Sequence, residues 1–140
     1  MAILIDTNVF IAAERSRQGG TLEALLKKLQ AGYEAEEALI SVITVSALLI
    51  GVERTIDDRV RTRRSAFVEA ILRQFNALPI DARVARRHSQ LSARLMASGN
   101  LIGTHDSWIA ASALTYDFAV ATCNFSEFAR VADLRVIAMN

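Results

Sequence analysis

The chain is expected to be an α/β protein: a mainly parallel central sheet of four or five strands flanked by helices. Three observations lead there. The first residues run Ile3-Leu4-Ile5 straight into Asp6, a short continuous apolar stretch that suits a strand buried on both faces. Strand-like runs alternate with runs of helical period along the whole sequence, which implies crossovers between parallel strands. The 140 residues, 52% of them hydrophobic, allow one domain over residues 1–140 with a substantial core.

Strand one covers Ala2 to Asp6. A helix follows, with Asp6 or Asn8 near its cap and Val9 to Glu14 inside it. Gly19-Gly20 breaks the chain. Thr21 is placed to cap a helix carrying Leu22, Leu25, Leu26 and Leu29, which Gly32 closes. Ala38 to Val42 reads as strand two. The next helix, Thr44 to Arg54, sets Val45, Leu48, Leu49 and Val52 on one face and Ala47 on another. Asp57 or Asp58 opens a long helix whose stripe is Phe67, Val68, Ile71, Leu72 and Phe75.

Asn76 to Ile80 is a short strand, and Pro79 argues that it is brief or near an edge. Asp81 caps a helix with Val84, His88, Leu91 and Leu95 on one face, stopped by Gly99. Thr104 caps another helix that carries Trp108, Ile109, Ala111 and Leu114. Phe118 to Thr122 is a strand, Ser126 to Val131 a short helix, and Leu134 to Ala138 the last strand.

Bulk properties exclude more than they assign. Cys123 is the only cysteine, so neither an internal disulfide nor a thiolate metal site is available. No apolar run approaches the roughly 20 residues that span a bilayer, and no basic segment precedes the first apolar run, so a cytoplasmic protein without membrane partners is expected. A net charge of +1 means that any nucleic-acid surface must be a local patch.

Chemistry-bearing residues gather at strand ends. Asp6 ends strand one and could simply cap the following helix. Asp106 falls in the first turn of its helix, where the dipole alone favours a carboxylate. Asn124 follows the strand that ends at Thr122 and could be a turn residue, and Glu127 sits in the next helical turn. A parallel sheet would bring such points to one rim. Several oxygen donors there, with neither Cys nor His required, suit Mg2+ or Mn2+ rather than zinc. A cation of that kind can polarise a phosphodiester and activate water.

Four blocks, Leu4 to Ile11, Ser41 to Ser46, Gly103 to Ala110 and Thr122 to Phe125, together resemble the PIN-domain ribonucleases, and among them the VapC-type toxins of toxin–antitoxin pairs. The resemblance implies a PIN-like three-layer fold and an endoribonuclease dependent on Mg2+ or Mn2+. It also implies a homodimer, neutralisation by a VapB-type antitoxin, and structured RNA, commonly tRNA, as substrate. Asp6 matches the first acid, Asp106 the third, and Asn124 the later Asp or Asn; Asp6 and Asp106 would hold the metal. Ala47 stands where the family usually has Glu, which implies weak metal binding and impaired cleavage, the pattern of a silenced nuclease. If Thr44-Val45-Ser46 opens the helix, a capping box would also want Glu or Gln at 47.

Thr7, Asn8, His105, Arg83, Arg86 and Arg87 are candidate RNA contacts, and Glu127 a possible additional acid. The run Arg59, Arg61, Arg63, Arg64 reads first as a solvated helix face. His88 and Trp108 read as core packing, and Cys123 as a small buried hydrophobe. Two alternatives compete. One is a catalytically silent module that holds RNA or an antitoxin. The other is a phosphoacceptor domain, disfavoured because no lysine follows Lys28.

Overall fold

Five strands, β1 (Ala2–Ile5), β2 (Glu37–Ser41), β3 (Asn76–Leu78), β4 (Ala119–Thr122) and β5 (Val136–Ala138), pair in the order β3-β2-β1-β4-β5. Every pair is parallel. The structure is a computed structural model that describes residues 2–16, 22–32 and 37–139. The Gly19-Gly20 break, the Thr21 cap, the side chain of Leu26 and the two terminal residues lie outside the described residues.

Strand alternation produces the layers. Ile3 and Ile5 of β1 point into one core with Phe10, Ile40, Leu48, Ile71 and Phe75. Leu4 points the other way, into a second core with Leu39, Val84, Ile109, Val120 and Phe128. The first face is covered by α1 (Thr7–Arg15), α2 (Leu22–Gly32), α3 (Val42–Glu53) and α4 (Asp58–Gln74). The second is covered by α5 (Ala82–Ser98), α6 (Thr104–Tyr116) and α7 (Phe125–Phe128). Phe10 and Phe128, one on each side, are both fully buried. The result is the expected three-layer parallel α/β architecture.

Strand order turns the first residues into a centre. From β1 the sheet grows one way through β2 and β3, and the other way through β4 and β5. The order reverses beside β1, which in open α/β sheets marks the carboxyl ends of β1 and β4 as the place for a ligand. Helices α1, α3 and α7 start where β1, β2 and β4 stop, and α6 begins at the same end in order to run back into β4. Their amino termini therefore face one rim, where the dipoles favour negative charge.

Several boundaries differ from the sequence expectation, each for a local reason. Ser41, the last residue of β2, caps α3: its Oγ accepts from Ile43 N–H at 3.1 Å. The helix therefore starts two residues early, at Val42, Thr44 lies inside it, and position 47 is not part of a capping box. Gly103, not Thr104, is the cap of α6 and makes no side-chain cap bond. Asp57 rather than Asp58 caps α4, through Val60 N–H at 3.0 Å. β3 is an edge strand and ends before Pro79, whose missing N–H forbids further pairing. Gly99 closes α5 at φ 71, the left-handed conformation that glycine adopts without penalty.

Candidate active site

Asp6 is 2% exposed and serves two neighbours. Its Oδ1 accepts from Thr7 N–H at 2.8 Å, capping α1. Its Oδ2 accepts from Thr122 Oγ1 at 2.8 Å, across the β1–β4 ladder. Burial raises its pKa against the opposing pull of those two bonds. Thr122 also accepts from Asn124 N–H at 2.8 Å, and Asn8 Oδ1 accepts from Cys123 N–H at 3.1 Å. Asp6 and Asn8 thus grip the end of β4 and fix the turn that carries Asn124.

Asp106 is the third residue of α6 and half-buried. Its pKa is pushed up to about 6, first by burial, then by the charges of Asp6 and Glu127. Asn124 occupies the cap position of α7 yet spends its side chain elsewhere. Its Nδ2 donates to Asp106 Oδ2 at 3.4 Å and to Glu127 Oε2. Glu127 Oε1 accepts from Gly103 N–H at 2.7 Å, and that bond holds the Glu127 pKa below its ordinary value. Asn124 is therefore no mere turn residue: it bridges two acids delivered by different helices.

A second chain of polar contacts ties in α3. Thr7 Oγ1 lies 2.9 Å from Thr44 Oγ1 and 3.2 Å from His105 Nε2. Ala47 follows Thr44 by three residues, so it lies on the same side of α3, one turn on, half-buried. Its side chain ends at a methyl. Among the described residues no group of three or more His, Cys, Asp or Glu is arranged to hold a metal ion. α3 turns no carboxylate to this rim at position 47, and Glu127 is engaged with Gly103 and Asn124.

The basic residues are dispersed. Arg83 lies over the Tyr116 ring at 5.1 Å, and Tyr116 OH donates to Asp81 at 2.8 Å. Ten helical residues, about 15 Å of rise, separate Tyr116 from Asp106. Arg86 and Arg87 are exposed on α5. On α4, Arg61 pairs with exposed Glu53 at 3.2 Å, whereas half-buried Arg64 departs from the solvated-face expectation and ties α4 to Glu14 of α1 at 2.8 Å.

Two packing expectations need adjusting. His88 is half-buried rather than a core residue: it stacks on Trp108 with centroids 3.7 Å apart, and its Nε2 lies 2.9 Å from Ser107 Oγ. Ser107 Oγ also lies 2.7 Å from Thr104 O, to which it donates. Cys123 is half-buried, with Sγ 3.6 Å from Met139 O. Sequence reasoning missed Thr44 and Thr122 as the groups that hold Thr7 and Asp6. The available signal was a hydroxyl ending the apolar run Ala119-Val120-Ala121.

A parallel sheet with acids converging beside its central strand defines the class, and the PIN domain family model matches residues 3–134: the chain belongs to the PIN-domain family. Within it the chain belongs with the VapC ribonucleases. It is 31% identical to Ribonuclease VapC1 of Rickettsia felis over 140 residues, covering 100% of this chain and 98% of that protein. The crystal structure of FitAcB from Neisseria gonorrhoeae matches with a TM-score of 0.79 at 30% identity, over 96% of each chain. VapBC-5 from Mycobacterium tuberculosis, a toxin–antitoxin system member, matches with a TM-score of 0.75 at 27% identity, over 99% of this chain and 98% of that one. Among the described residues no helix is long and apolar enough to cross a membrane.

Proposed function

We propose that this chain is an endoribonuclease toxin of VapC type whose active site is the rim pocket, and that Ala47 impairs it. The observation that carries the reading is the meeting of Asp6, Asp106, Asn124 and Glu127 beyond β1 and β4, with Asp106 raised to about 6 by burial and acidic neighbours. Crowded carboxylates of this kind are relieved by a cation. PIN-domain ribonucleases of the VapC kind depend in general on a divalent metal.

The donors fit Mg2+ or Mn2+. They are oxygens throughout, and Mg2+ keeps several waters and needs only one or two protein carboxylates beside substrate phosphates. Asp6 and Asp106 would hold it, with Asn124 completing the set and Glu127 as an additional acid. When bound, the cation polarises the phosphodiester and lowers the pKa of the attacking water. The rest falls to the chain itself. Thr7 and Thr122 hold Asp6 in one rotamer, and the Asn124 amide aims Asp106. His105, tethered to Thr7, and Asn8 stand ready to contact the phosphate nearest the cut. Arg86 and Arg87, and farther along α5 Arg83, meet more distant phosphates.

The substrate is structured RNA, tRNA foremost, and the protein acts in the cytoplasm as a homodimer. A VapB-like antitoxin neutralises it, in line with structural neighbours solved as toxin–antitoxin complexes. The test is a brief pulse of the Ala47→Glu form in cells, followed by sequencing of RNA ends. Discrete new ends that vanish with Asp6→Asn or Asp106→Asn support the nuclease. RNA binding with no new ends would instead favour the silent module.

A further inference from the structure

We propose that the cleft between α5 and the segment after α7 is a second phosphate-binding site, one that seats the RNA backbone on its way to the acidic pocket. This rests on the nuclease reading and extends it beyond the pocket. The cleft has a volume of about 430 Å3 and is lined by Arg87, Arg94 and Arg130, with Asp133 its one carboxylate. Arg87 and Arg94 are exposed and seven residues apart on α5, a rise of about 10.5 Å, roughly the axial span of three phosphates of a strand. Among the described residues neither has an ion-pair partner. The α4 arginines Arg61 and Arg64 differ, since each is spent on a glutamate. Free guanidiniums along one concave surface are suited to planar oxyanions such as phosphate.

The cleft also leads somewhere. Arg130 Nη1 donates to Leu101 O at 2.9 Å, and two residues on, Gly103 N–H is held by Glu127 of the acidic pocket. The end of the cleft and the edge of the pocket thus share one short loop. A strand leaving the pocket past Glu127 would pass Arg130 and then Arg94. An acidic partner helix is the weaker occupant. Helix-in-groove recognition needs free apolar anchors, and the floor residues Leu91 and Leu95 are already buried in the domain core.

The test measures binding of bulk tRNA to the chain as it stands, across a salt series, by fluorescence anisotropy. Arg87→Glu with Arg94→Glu should weaken binding at least about tenfold and make the log Kd against log salt slope shallower by about 2. The neutral pair Arg87→Gln with Arg94→Gln should give the same slope change, which guards against misfolding from charge reversal. A charge-matched pair on α4, Arg59→Glu with Arg73→Glu, should cost less than about threefold. Equal losses from both reversed pairs would mean bulk charge and overturn the proposal, as would no loss at all. Unchanged tRNA binding with lost affinity for an acidic helical peptide would reassign the cleft to a protein partner. If the unaltered chain fails to bind tRNA, the proposal falls together with the nuclease reading.

Discussion

Two helices reach the rim pocket with similar placement and unlike chemistry. α6 brings His105 and Asp106 in its first turn, and burial, helped by the charges of Asp6 and Glu127, pushes the Asp106 pKa up to about 6. α3 brings Thr44, locked to Thr7 at 2.9 Å, and one turn later only the methyl of Ala47. The α3 backbone is anchored as firmly as that of α6, by Ser41 at its cap and by Leu48 and Val52 in the core. Position and reactivity are therefore encoded separately. The scaffold is set by capping and burial, and it does not require a carboxylate at position 47.

The sharpest way to erase the contrast is Ala47→Glu. A carboxylate at this position of α3 should raise metal-dependent RNA cleavage by about 10²-fold or more, the scale on which one well-placed electrostatic group acts in a preorganised site. The measurement is cleavage of bulk tRNA with Mg2+ and with EDTA. Equal rates in the two would break the comparison.

Next in size is Thr122→Val. It strips a hydrogen bond from the buried Asp6 carboxylate and should cost about 1–3 kcal/mol, read from urea midpoints at neutral pH. Unchanged stability would mean that Thr122 does not hold Asp6.

Asp106→Asn tests the pressure on α6 directly. In the folded chain Asp106 keeps its proton to about 6, against an ordinary 3.8. Its neutral form is the favoured one, so the associated stability is complete below about pH 4 and is lost as pH rises through 6. Above that range, in EDTA, Asp106→Asn should be more stable than the parent by about 1 kcal/mol, a figure discounted for partial exposure. Near pH 4 the two should melt together, and Mg2+ should narrow the gap at neutral pH. A gap independent of pH would remove the crowding account.

An effect of similar size to that of Asp106→Asn belongs to Ser107→Ala. It unlinks the first turn of α6 from His88 and should cost about 0.5–1.5 kcal/mol in thermal melts, with α3 untouched. No cost would mean that the contact holds nothing.

Much of this arrangement could be read along the chain. The apolar run ending in Asp6, the alternation of strand and helix, and the order of the four blocks pointed to the fold and to one rim for Asp6, Asp106, Asn124 and Glu127. Local signals failed where a group's partner is distant in sequence. Thr44 looked like a cap because Ser41 looked like strand; Ser41 is both, ending β2 and starting α3 without a loop. For Asn124 a turn role stayed open beside the site role, because its acceptor on Asp106 lies on another helix. Arg83 looked equivalent to Arg87, yet Tyr116 holds Arg83 at the far end of α6.

By itself the sequence determined which residues are apolar, with what period, and which carry oxygen donors at the ends of those periods; these suffice for elements and for the list of acids because both depend on near neighbours. Only the tertiary structure decided that β1 lies between β2 and β4, so that residues 6 and 122 touch and the rim closes around Asp106. Strand order and register are long-range choices, made by burying both faces of β1 at once, and they convert four dispersed polar side chains into one pocket whose charges feel each other.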